Sequence, residues 1–209
     1  MAKDLVKASN GRLSEELSGI RAPERQLVVM IIGNHSAGKS SFINWYVEED
    51  IQKSKVSIET IEINVIMHGK SKQEFNGFNA IKVLPFLKDL YSHDTRQERF
   101  PGLMENLVLK SSSSKSRNFE NTIFIDTPGL ADGNLKYKFD IEDALEWFTH
   151  HSDMILVFFD PQGQALCKRT MKLISRLYPQ NQNKMQFLMT KGDVFDSDDD
   201  RLKCMCQIT

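Results

Sequence analysis

Apolar residues along this chain occur in short runs that are separated by longer amphipathic segments. The clearest run, Leu27–Ile32, contains six consecutive apolar residues, several of them β-branched. A run of this length and composition predicts a strand that is buried on both faces, as in a parallel sheet. Similar runs predict further strands at Ile61–Met67, Asn121–Ile125, Met154–Phe159 and Met185–Thr190.

Helical periodicity occupies most of the intervals between these strands. Helices are predicted at Lys39–Val47, Ile141–His151, Gln164–Tyr178 and about 199–209. Because strands that alternate with helices form βαβ crossovers, the predicted fold class is α/β, with a mostly parallel, doubly wound sheet covered by helices on both faces. Ligands of such sheets bind at the carboxyl ends of the strands.

The N-terminal residues show a looser pattern. Residues 4–20 have the apolar spacing of a short helix, and Pro23 ends it, because proline cannot continue a helix. The chain therefore divides into an N-terminal helical segment, residues 1–25, and a domain that spans residues 26–209.

The middle of the chain is less regular. Residues 70–80 are polar and contain Gly and Asn, which favours a loop. Residues 81–110 are ambiguous, with helical patterns around Phe86–Tyr91 and Leu103–Leu109. The serine-rich run 111–116 is typical of a solvated surface loop.

Composition and charge narrow the class of protein. A hydrophobic fraction of 40%, a charged fraction of 26% and a formal net charge of -1 are those of an ordinary soluble domain, with no global basic field to attract nucleic acid. The three cysteines, Cys167, Cys204 and Cys206, are too few for a disulfide framework and indicate reduced thiols. The sequence shows neither a signal-peptide core nor an apolar run of about 20 residues. We therefore expect a cytoplasmic protein, or one on a cytosolic surface.

The turn between the first predicted strand and helix carries the sequence Gly-Asn-His-Ser-Ala-Gly-Lys-Ser, which matches the phosphate-binding pattern G-x-x-x-x-G-K-[ST] in full. Glycines let the backbone N–H groups approach phosphate oxygens, and the following helix points its positive N-terminal end at the same place. We expect Lys39 to reach the β- and γ-phosphates and the Ser40 hydroxyl to ligate Mg²⁺. The candidate nucleotide-binding residues of this loop are Gly33, Asn34, His35, Ser36, Ala37, Gly38, Lys39, Ser40 and Ser41.

Two further motifs follow predicted strands. Asp126-Thr127-Pro128-Gly129 comes after an apolar run, where an aspartate is expected to support Mg²⁺ and the Gly129 N–H to meet the γ-phosphate. Thr190-Lys191-Gly192-Asp193 follows the last predicted strand, where guanine-specific GTPases carry N-K-x-D. In that arrangement the Asp193 carboxylate binds the N1 and N2 edge of guanine, and the stem of Lys191 packs on the base. Thr190 replaces the usual asparagine.

These motifs together resemble the dynamin superfamily. The loop Gly33–Asn44 contains Ser-Ala-Gly-Lys-Ser-Ser, the usual form in that superfamily. The resemblance runs from about residue 26 to the end of the chain. Four other stretches look like its EH-domain-containing branch, and these are Val65–Gly69, Asp126–Leu130, Ala144–Phe148 and Leu156–Asp160.

The resemblance implies a dynamin-type G domain that hydrolyses GTP with Mg²⁺. By its spacing before Met67-His68-Gly69, Thr60 matches the switch threonine that ligates Mg²⁺ and whose backbone holds the attacking water. Ser36 matches the loop position that helps to place this water in a family without the Ras-type glutamine, whereas His35 stands where dynamins usually have Gln and the EH-domain branch an aromatic residue. The candidate catalytic residues are therefore Lys39, Ser36, Thr60 and Gly129, and the candidate metal ligands are Ser40, Thr60 and Asp126.

The resemblance also implies partners and leaves alternatives open. It implies a homodimer through the nucleotide face, and contact with membrane lipid through regions outside this chain. One alternative keeps the fold but uses ATP, as the EH-domain branch does despite a similar base-reading loop. Another is a nucleotide-binding scaffold with little or no hydrolysis. Complete domains of this kind normally add a further strand and helix, so we expect residues 26–209 to be incomplete at the C-terminus.

Overall fold

The computed structural model describes residues 25–52, 62–131, 137–161, 167–195 and 197–208. The N-terminal helical segment predicted for residues 1–25 lies outside these residues, except for Arg25. Within the described part, the strands are β1 (Leu27–Gly33), β2 (Ile63–His68), β3 (Gln73–Asn76), β4 (Tyr91–Ser92), β5 (Gln97–Glu98), β6 (Leu107–Ser112), β7 (Thr122–Asp126), β8 (Met154–Phe159) and β9 (Met185–Met189). The α-helices there are α1 (Lys39–Val47), α2 (Gly77–Val83), α3 (Ile141–His150), α4 (Lys168–Asn181) and α5 (Asp198–Ile208). Short 3-10 helices span Pro85–Leu90, Met104–Asn106, Ser116–Asn121 and Gly192–Val194.

Seven of the described strands form one mixed sheet in the order β3-β6-β2-β7-β1-β8-β9. Strands β7, β1, β8 and β9 are parallel to their neighbours in this half of the sheet, and β2 is parallel to β6. Strand β2 runs antiparallel to β7, so that Asn64 lies opposite Asp126. The carboxyl ends of β1, β7, β8 and β9 and the amino end of β2 therefore meet at one sheet edge. The predicted α/β class with a mostly parallel sheet is confirmed.

Both faces of the sheet are covered. Successive side chains of β1 point to opposite faces, so each face buries its own set of them. Met30 and Ile32 are buried in the larger hydrophobic cluster with residues of α3 and α4. Ile31 is buried in a second cluster that includes Ile43 of α1 and Phe124 of β7. Each such side chain contributes roughly 1.5–3 kcal/mol when fully buried. An uninterrupted apolar strand is what this two-sided burial requires.

The structure places α1 and β8 at the predicted bounds. Strand β7 and helix α3 differ from the predicted bounds by one residue at their ends, and β9 ends one residue early. Helix α4 covers Lys168–Asn181 instead of Gln164–Tyr178. Residues 162–166, and with them the predicted start of this helix, lie outside the described part.

The prediction of a loop at residues 70–80 is wrong, because β3 and α2 occupy most of it. Strand β3 is a polar edge strand that pairs on one side with β6, so it lacks the apolar pattern of a buried strand. Helix α2 begins where the Asn76 side chain accepts a hydrogen bond from the backbone N–H of Asn79 at 3.1 Å. This is an N-cap, a role for which asparagine is favoured.

The predicted helix around Leu103–Leu109 is also wrong. A single 3-10 turn, Met104–Asn106, leads into β6 at Leu107. Leu107 and Leu109 are buried while Val108 and Lys110 are only half-buried, which is the alternation of a strand. The helical pattern around Phe86–Tyr91 corresponds to the 3-10 helix Pro85–Leu90.

The serine-rich run was predicted to be a solvated loop, but Ser111 and Ser112 complete β6 and are buried. Their hydroxyl groups are buried at low cost because they find acceptors. The Ser112 hydroxyl donates to Glu49, Ser114 to the carbonyl of Val47 at 2.5 Å, and Ser116 to Glu48 at 2.5 Å. We call these three serines the serine clasp, since they join the end of β6 to the segment that follows α1.

Within the described residues, β3 and β9 are the edge strands of the sheet. The two edges differ in character. Phe187 and Leu188 of β9 are exposed by 44% and 38%, on opposite faces of the strand. The ring of Phe187 lies 6.0 Å from that of Tyr178 on α4. Strand β9 is thus an apolar edge, whereas β3 is polar.

The packing at the start of α2 allows a test of the finding that residues 77–83 form a helix and not a loop. A Cβ atom added at Gly77 would lie 2.4 Å from the carbonyl oxygen of Met104. We therefore expect Gly77→Ala to lower the free energy of unfolding by about 1–3 kcal/mol in urea titrations, as overpacking does. Asn79→Ala, at an exposed position of the same helix, is the control. Equal stability of the two variants would contradict the close packing of α2 on the 3-10 turn.

Candidate nucleotide-binding site

The loop between β1 and α1 has a conformation that depends on its sequence. Gly38 adopts a left-handed φ of 85°, and Ser36 a left-handed φ of 60°. A Cβ atom at Gly33 would lie 2.7 Å from the carbonyl oxygen of Phe158 on the neighbouring strand β8. Glycine is therefore required at position 33 for close strand contact and at position 38 for the turn into the helix.

Lys39 is buried at the start of α1, with 7% of its surface exposed. Its ammonium group donates hydrogen bonds to the carbonyl oxygens of Gly33 at 3.2 Å and Asn34 at 2.9 Å. Burial lowers the pKa of Lys39, and the nearby carboxylate of Asp126 opposes this effect. The positive charge thus lies inside the phosphate-binding loop, and its hydrogen-bond acceptors among the described residues are neutral carbonyl oxygens.

Asp126 ends β7 and is 4% exposed. Its Oδ2 atom accepts hydrogen bonds from the Ser40 hydroxyl and from the side-chain amide of Gln52, both at 2.7 Å. Its Oδ1 atom is buried and has no hydrogen-bond partner among the described residues. Burial raises the pKa of the Asp126 carboxyl, against the opposing influence of Lys39.

The loop after Asp126 is attached to the phosphate-binding loop by backbone hydrogen bonds. Leu130 N–H donates to Gly33 at 3.2 Å, and His35 N–H donates to Leu130 at 3.1 Å. Gly129 lies against His35, since a Cβ atom at position 129 would be 2.6 Å from the Cα atom of His35. The two predicted motifs are therefore one continuous unit.

The side chains of Asn34, His35 and Ser36 in the phosphate-binding loop also have protein partners. His35 Nδ1 lies 2.9 Å from the hydroxyl oxygen of the exposed Ser36. Asn34 is buried and accepts a hydrogen bond from the Thr170 hydroxyl on α4. The Asn34 side chain thus joins the loop to α4.

The segment Thr190–Asp193, the candidate base-reading motif, lies beside the same loop. The Thr190 hydroxyl and N–H donate to the carbonyl of Phe159, at 3.1 and 2.8 Å. A Cβ atom at Gly38 would be 3.9 Å from the Thr190 side chain. Lys191 has a left-handed φ of 52° and forms an ion pair with Asp160 at 2.5 Å. Asp193 is exposed on the 3-10 helix that follows.

These elements line a cleft of about 260 Å³. The predicted residues that line it are His35, Ser36, Ala37, Gly38, Lys39, Ser40, Ser41, Asp126, Gly129 and Lys191. Gly33 and Asn34 contribute through the hydrogen bonds described above. Thr190 and Asp193 are not among the cleft-lining residues of the described part. Thr60, a candidate for catalysis and for metal binding, lies outside the described residues.

The cleft also contains residues that sequence reasoning missed, and these are Gln52, Glu62, Asn64 and Lys110. None of them belongs to a motif. Asn64 reaches the cleft because β2 runs antiparallel to β7, and Lys110 ends the segment 81–110 whose pattern was ambiguous. A polar residue within a predicted apolar strand was the available signal for Asn64.

The oxygens around Asp126 fit a small divalent cation. Mg²⁺ prefers oxygen ligands, is bound by few protein groups, and takes its remaining ligands from water and phosphate. The Ser40 hydroxyl oxygen and Asp126 Oδ1, which has no hydrogen-bond partner in the described part of the chain, are oxygens of this kind. Within the described residues, no cluster of three or more His, Cys, Asp or Glu side chains that could hold a metal occurs.

Among the described helices, none has both the length and the apolar character needed to cross a bilayer.

Comparison with known proteins agrees with this geometry. The model of the Dynamin family matches residues 29–191. EH domain-containing protein 2 of Rattus norvegicus is 28% identical over 179 residues, which are 81% of this chain and 31% of that protein. EH domain-containing protein 1 of Homo sapiens is 27% identical over the same lengths. The chain thus spans about a third of the length of these curated relatives.

Solved structures are similar in fold. One is a chain of an oligomerised bacterial dynamin pair, described as providing a mechanism for the long-range sensing and tethering of membranes. It superposes with a TM-score of 0.59 and 19% identity, over 99% of this chain and 33% of that chain. A second chain of the same description has a TM-score of 0.55 and 18% identity. At these identities the likeness concerns the fold alone.

The burial of Asp126 generates a pH prediction. Its folded-state pKa is raised, so its stabilising contribution is full below its unfolded value of about 4 and is lost as the pH rises through the folded value. The free energy of unfolding of the wild type, minus that of Asp126→Asn, should therefore fall as the pH rises above about 4. Denaturant titrations across this range measure the difference, with Asp94→Asn as an exposed control. A free-energy difference between the wild type and Asp126→Asn that rises with pH would contradict a raised pKa of Asp126 in the folded state.

Proposed function

Because this chain belongs to the dynamin family, whose model matches residues 29–191, we propose that it binds GTP in the cleft and cleaves the γ-phosphate with water. One observation carries the proposal. The phosphate-binding loop from His35 to Ser41, with the buried cation of Lys39, and the buried carboxylate of Asp126 line the same cleft. An anion-binding loop beside an oxygen-rich pocket is suited to a nucleoside triphosphate with a divalent cation.

Lys39 provides charge stabilisation in this proposal. Its ammonium group is shielded from water and bound to the carbonyl oxygens of Gly33 and Asn34. Charge-assisted hydrogen bonds to phosphate oxygens are stronger than bonds to neutral carbonyls. Lys39 therefore favours a triphosphate whose β- and γ-oxygens reach it, and stabilises the charge that accumulates there during cleavage.

Ser40 and Asp126 are the proposed ligands for magnesium, together with Thr60 outside the described part. When bound, Mg²⁺ neutralises charge on the β- and γ-phosphates. The Ser40 hydroxyl donates a hydrogen bond to Asp126 Oδ2, which leaves the lone pairs of the Ser40 oxygen for another partner. Asp126 holds this orientation and retains Oδ1 as a further acceptor.

Ser36 and Gly129 are the proposed groups around the attacking water and the γ-phosphate. Ser36 is exposed at the mouth of the loop, and its hydroxyl is oriented by His35. Gly129 presents its backbone next to His35 with no room for a side chain. A γ-phosphate that draws in the Gly129 N–H is thus coupled to the loop after β7, the type of switch that GTPases use.

Lys191 and Asp193 are the proposed base-reading residues. The ion pair with Asp160 fixes the head of Lys191 and leaves its aliphatic stem to pack on a base at the cleft. Asp193 supplies the carboxylate that binds the N1 and N2 edge of guanine. Asp193 does not line the described cleft, and this observation favours ATP as the second candidate nucleotide.

Self-association and membrane contact complete the proposal. Ser36 and Ser41 are exposed at the rim of the cleft, where a second copy has access to the bound nucleotide. The homodimer therefore forms through the nucleotide face. Contact with membrane lipid is peripheral and occurs through regions outside this chain.

Nucleotide-dependent thermal stabilisation tests the binding step. We expect GTP with Mg²⁺ to raise the melting temperature more than ATP does, and Lys39→Ala to abolish the shift. A ligand at 100 times its Kd adds about 2.7 kcal/mol of stability. Lys88→Ala, which removes an exposed lysine, is the matched control and should retain the shift. A larger shift with ATP would assign an adenine base, and no shift with either nucleotide would refute the proposal.

Phosphate release in single-turnover experiments tests hydrolysis. Because the proposed dimer contacts the nucleotide, the rate per chain should rise as the protein concentration is raised above that of GTP. Tight GTP binding without phosphate release at any concentration would instead identify a nucleotide-binding scaffold.

A further inference from the structure

We infer that Gln52 and Lys110 form a strut that orients the Asp126 carboxylate so that its Oδ1 atom could hold a magnesium ion, and that Asn64 would offer a second oxygen beside it. This inference rests on the proposed function. It concerns residues that belong to none of the motifs and that reach the cleft from three separate segments of the chain. Gln52 and Lys110 act through Asp126 and are therefore positioning residues.

The backbone of Gln52 is held by a single side chain of α1. Asn44 Oδ1 accepts from the Gln52 N–H at 2.8 Å, and Asn44 Nδ2 donates to the Gln52 carbonyl at 2.8 Å. The serine clasp fixes the preceding residues Glu48 and Glu49 to the end of β6. Gln52 is consequently 4% exposed and anchored on both sides.

The side-chain amide of Gln52 bridges a cation and an anion. Its Oε1 atom accepts from Lys110 Nζ at 2.6 Å, and its Nε2 atom donates to Asp126 Oδ2 at 2.7 Å. A lysine ammonium only donates and a carboxylate only accepts, so the two charges allow one orientation of the amide. The amide therefore carries the influence of Lys110 to Asp126 across the intervening strand β2.

The strut decides which carboxylate oxygen is left for a cation. Ser40 and Gln52 both donate to Oδ2, so the carboxylate cannot turn without losing two hydrogen bonds. Oδ1 then remains buried, with no hydrogen-bond partner among the described residues. Leaving such an atom unsatisfied is costly, and a divalent cation or its bound water removes that cost.

Asn64 presents a second buried oxygen that lacks a hydrogen-bond donor among the described residues. It lies directly opposite Asp126 in the antiparallel pairing of β2 and β7, so their side chains share one face of the sheet. Its Oδ1 atom is also buried without a hydrogen-bond partner in the described part of the chain. Both residues line the cleft. Two neighbouring acceptors without donors form a surface suited to magnesium and its water shell.

Magnesium dependence of nucleotide binding tests the strut. The probe is a fluorescent, non-hydrolysable GTP analogue titrated at fixed Mg²⁺ concentrations and in excess EDTA. Gln52→Met keeps the volume but removes both side-chain hydrogen bonds. We expect it to raise the Mg²⁺ concentration for half-maximal enhancement by about tenfold or more, as loss of groups that orient a metal ligand does. Affinity in EDTA should change less than about twofold.

Matched variants separate positioning from folding. Gln73→Met, at an exposed position of β3, should leave the Mg²⁺ requirement unchanged. Lys110→Met tests the strut from its other end and should shift the requirement in the same direction as Gln52→Met, while Lys110→Arg should restore most of the wild-type value. Asn64→Leu should also raise the requirement. Mn²⁺ binding to the nucleotide complex, followed by electron paramagnetic resonance, gives a readout that does not depend on hydrolysis.

Three results would overturn the inference. One is an equal loss of affinity with Mg²⁺ and in EDTA, which indicates a general structural role. Another is a Gln52→Met variant that matches Gln73→Met. The third is an unchanged Mg²⁺ requirement in Lys110→Met. A wild-type chain that binds no nucleotide in either condition would refute the proposed function as well, so the two failures are distinguishable.

Discussion

Two opposite charges held away from water at one sheet edge, those of Lys39 and Asp126, are the constraint on which the rest of the site depends. Moving each ion out of water costs several kcal/mol even after relaxation. The surrounding residues offset part of this cost. Carbonyl oxygens bind Lys39, while Ser40 and Gln52 bind Asp126. Burial lowers the pKa of Lys39 and raises that of Asp126, so both shifts favour the neutral forms. The arrangement therefore favours a ligand that brings both negative and positive charge.

The mixed direction of the sheet determines which side chains surround these charges. In a wholly parallel sheet, the carboxyl end of β2 would lie beside that of β7. Because β2 is antiparallel to β7, its amino-terminal half lies there, and Asn64 comes opposite Asp126. The loop that follows α1 then delivers Gln52 to the same place. The polar lining of the cleft thus combines motif residues at strand ends with residues placed only by topology.

The sequence predicted positions best where a motif directly follows an apolar strand. The predicted phosphate-binding loop and the motif that begins at Asp126 are each an unbroken stretch of sequence directly after an apolar strand. Periodicity and spacing were therefore enough to find both stretches. Gln52 and Lys110 could not be found in this way, because their role exists only once they meet in space. The segment Leu103–Leu109 was misread since Leu103, Met104 and Leu107 have helical spacing, although the pairing of β6 with β2 and β3 decides the conformation. The buried serines were misjudged because a hydroxyl group with a nearby acceptor behaves as an interior residue.

The two edges of the sheet have different consequences for handling this chain in solution. Strand β3 carries Gln73 and Glu74 outward, and such polar edges resist pairing with other strands. Strand β9 instead exposes Phe187 and Leu188 along an edge that pairs only with β8 in the described part. An apolar edge of this kind promotes non-specific clustering that needs no nucleotide. Light scattering in the presence and absence of nucleotide therefore distinguishes such clustering from ordered dimers, and mild detergent or a charged residue on β9 would suppress the former selectively.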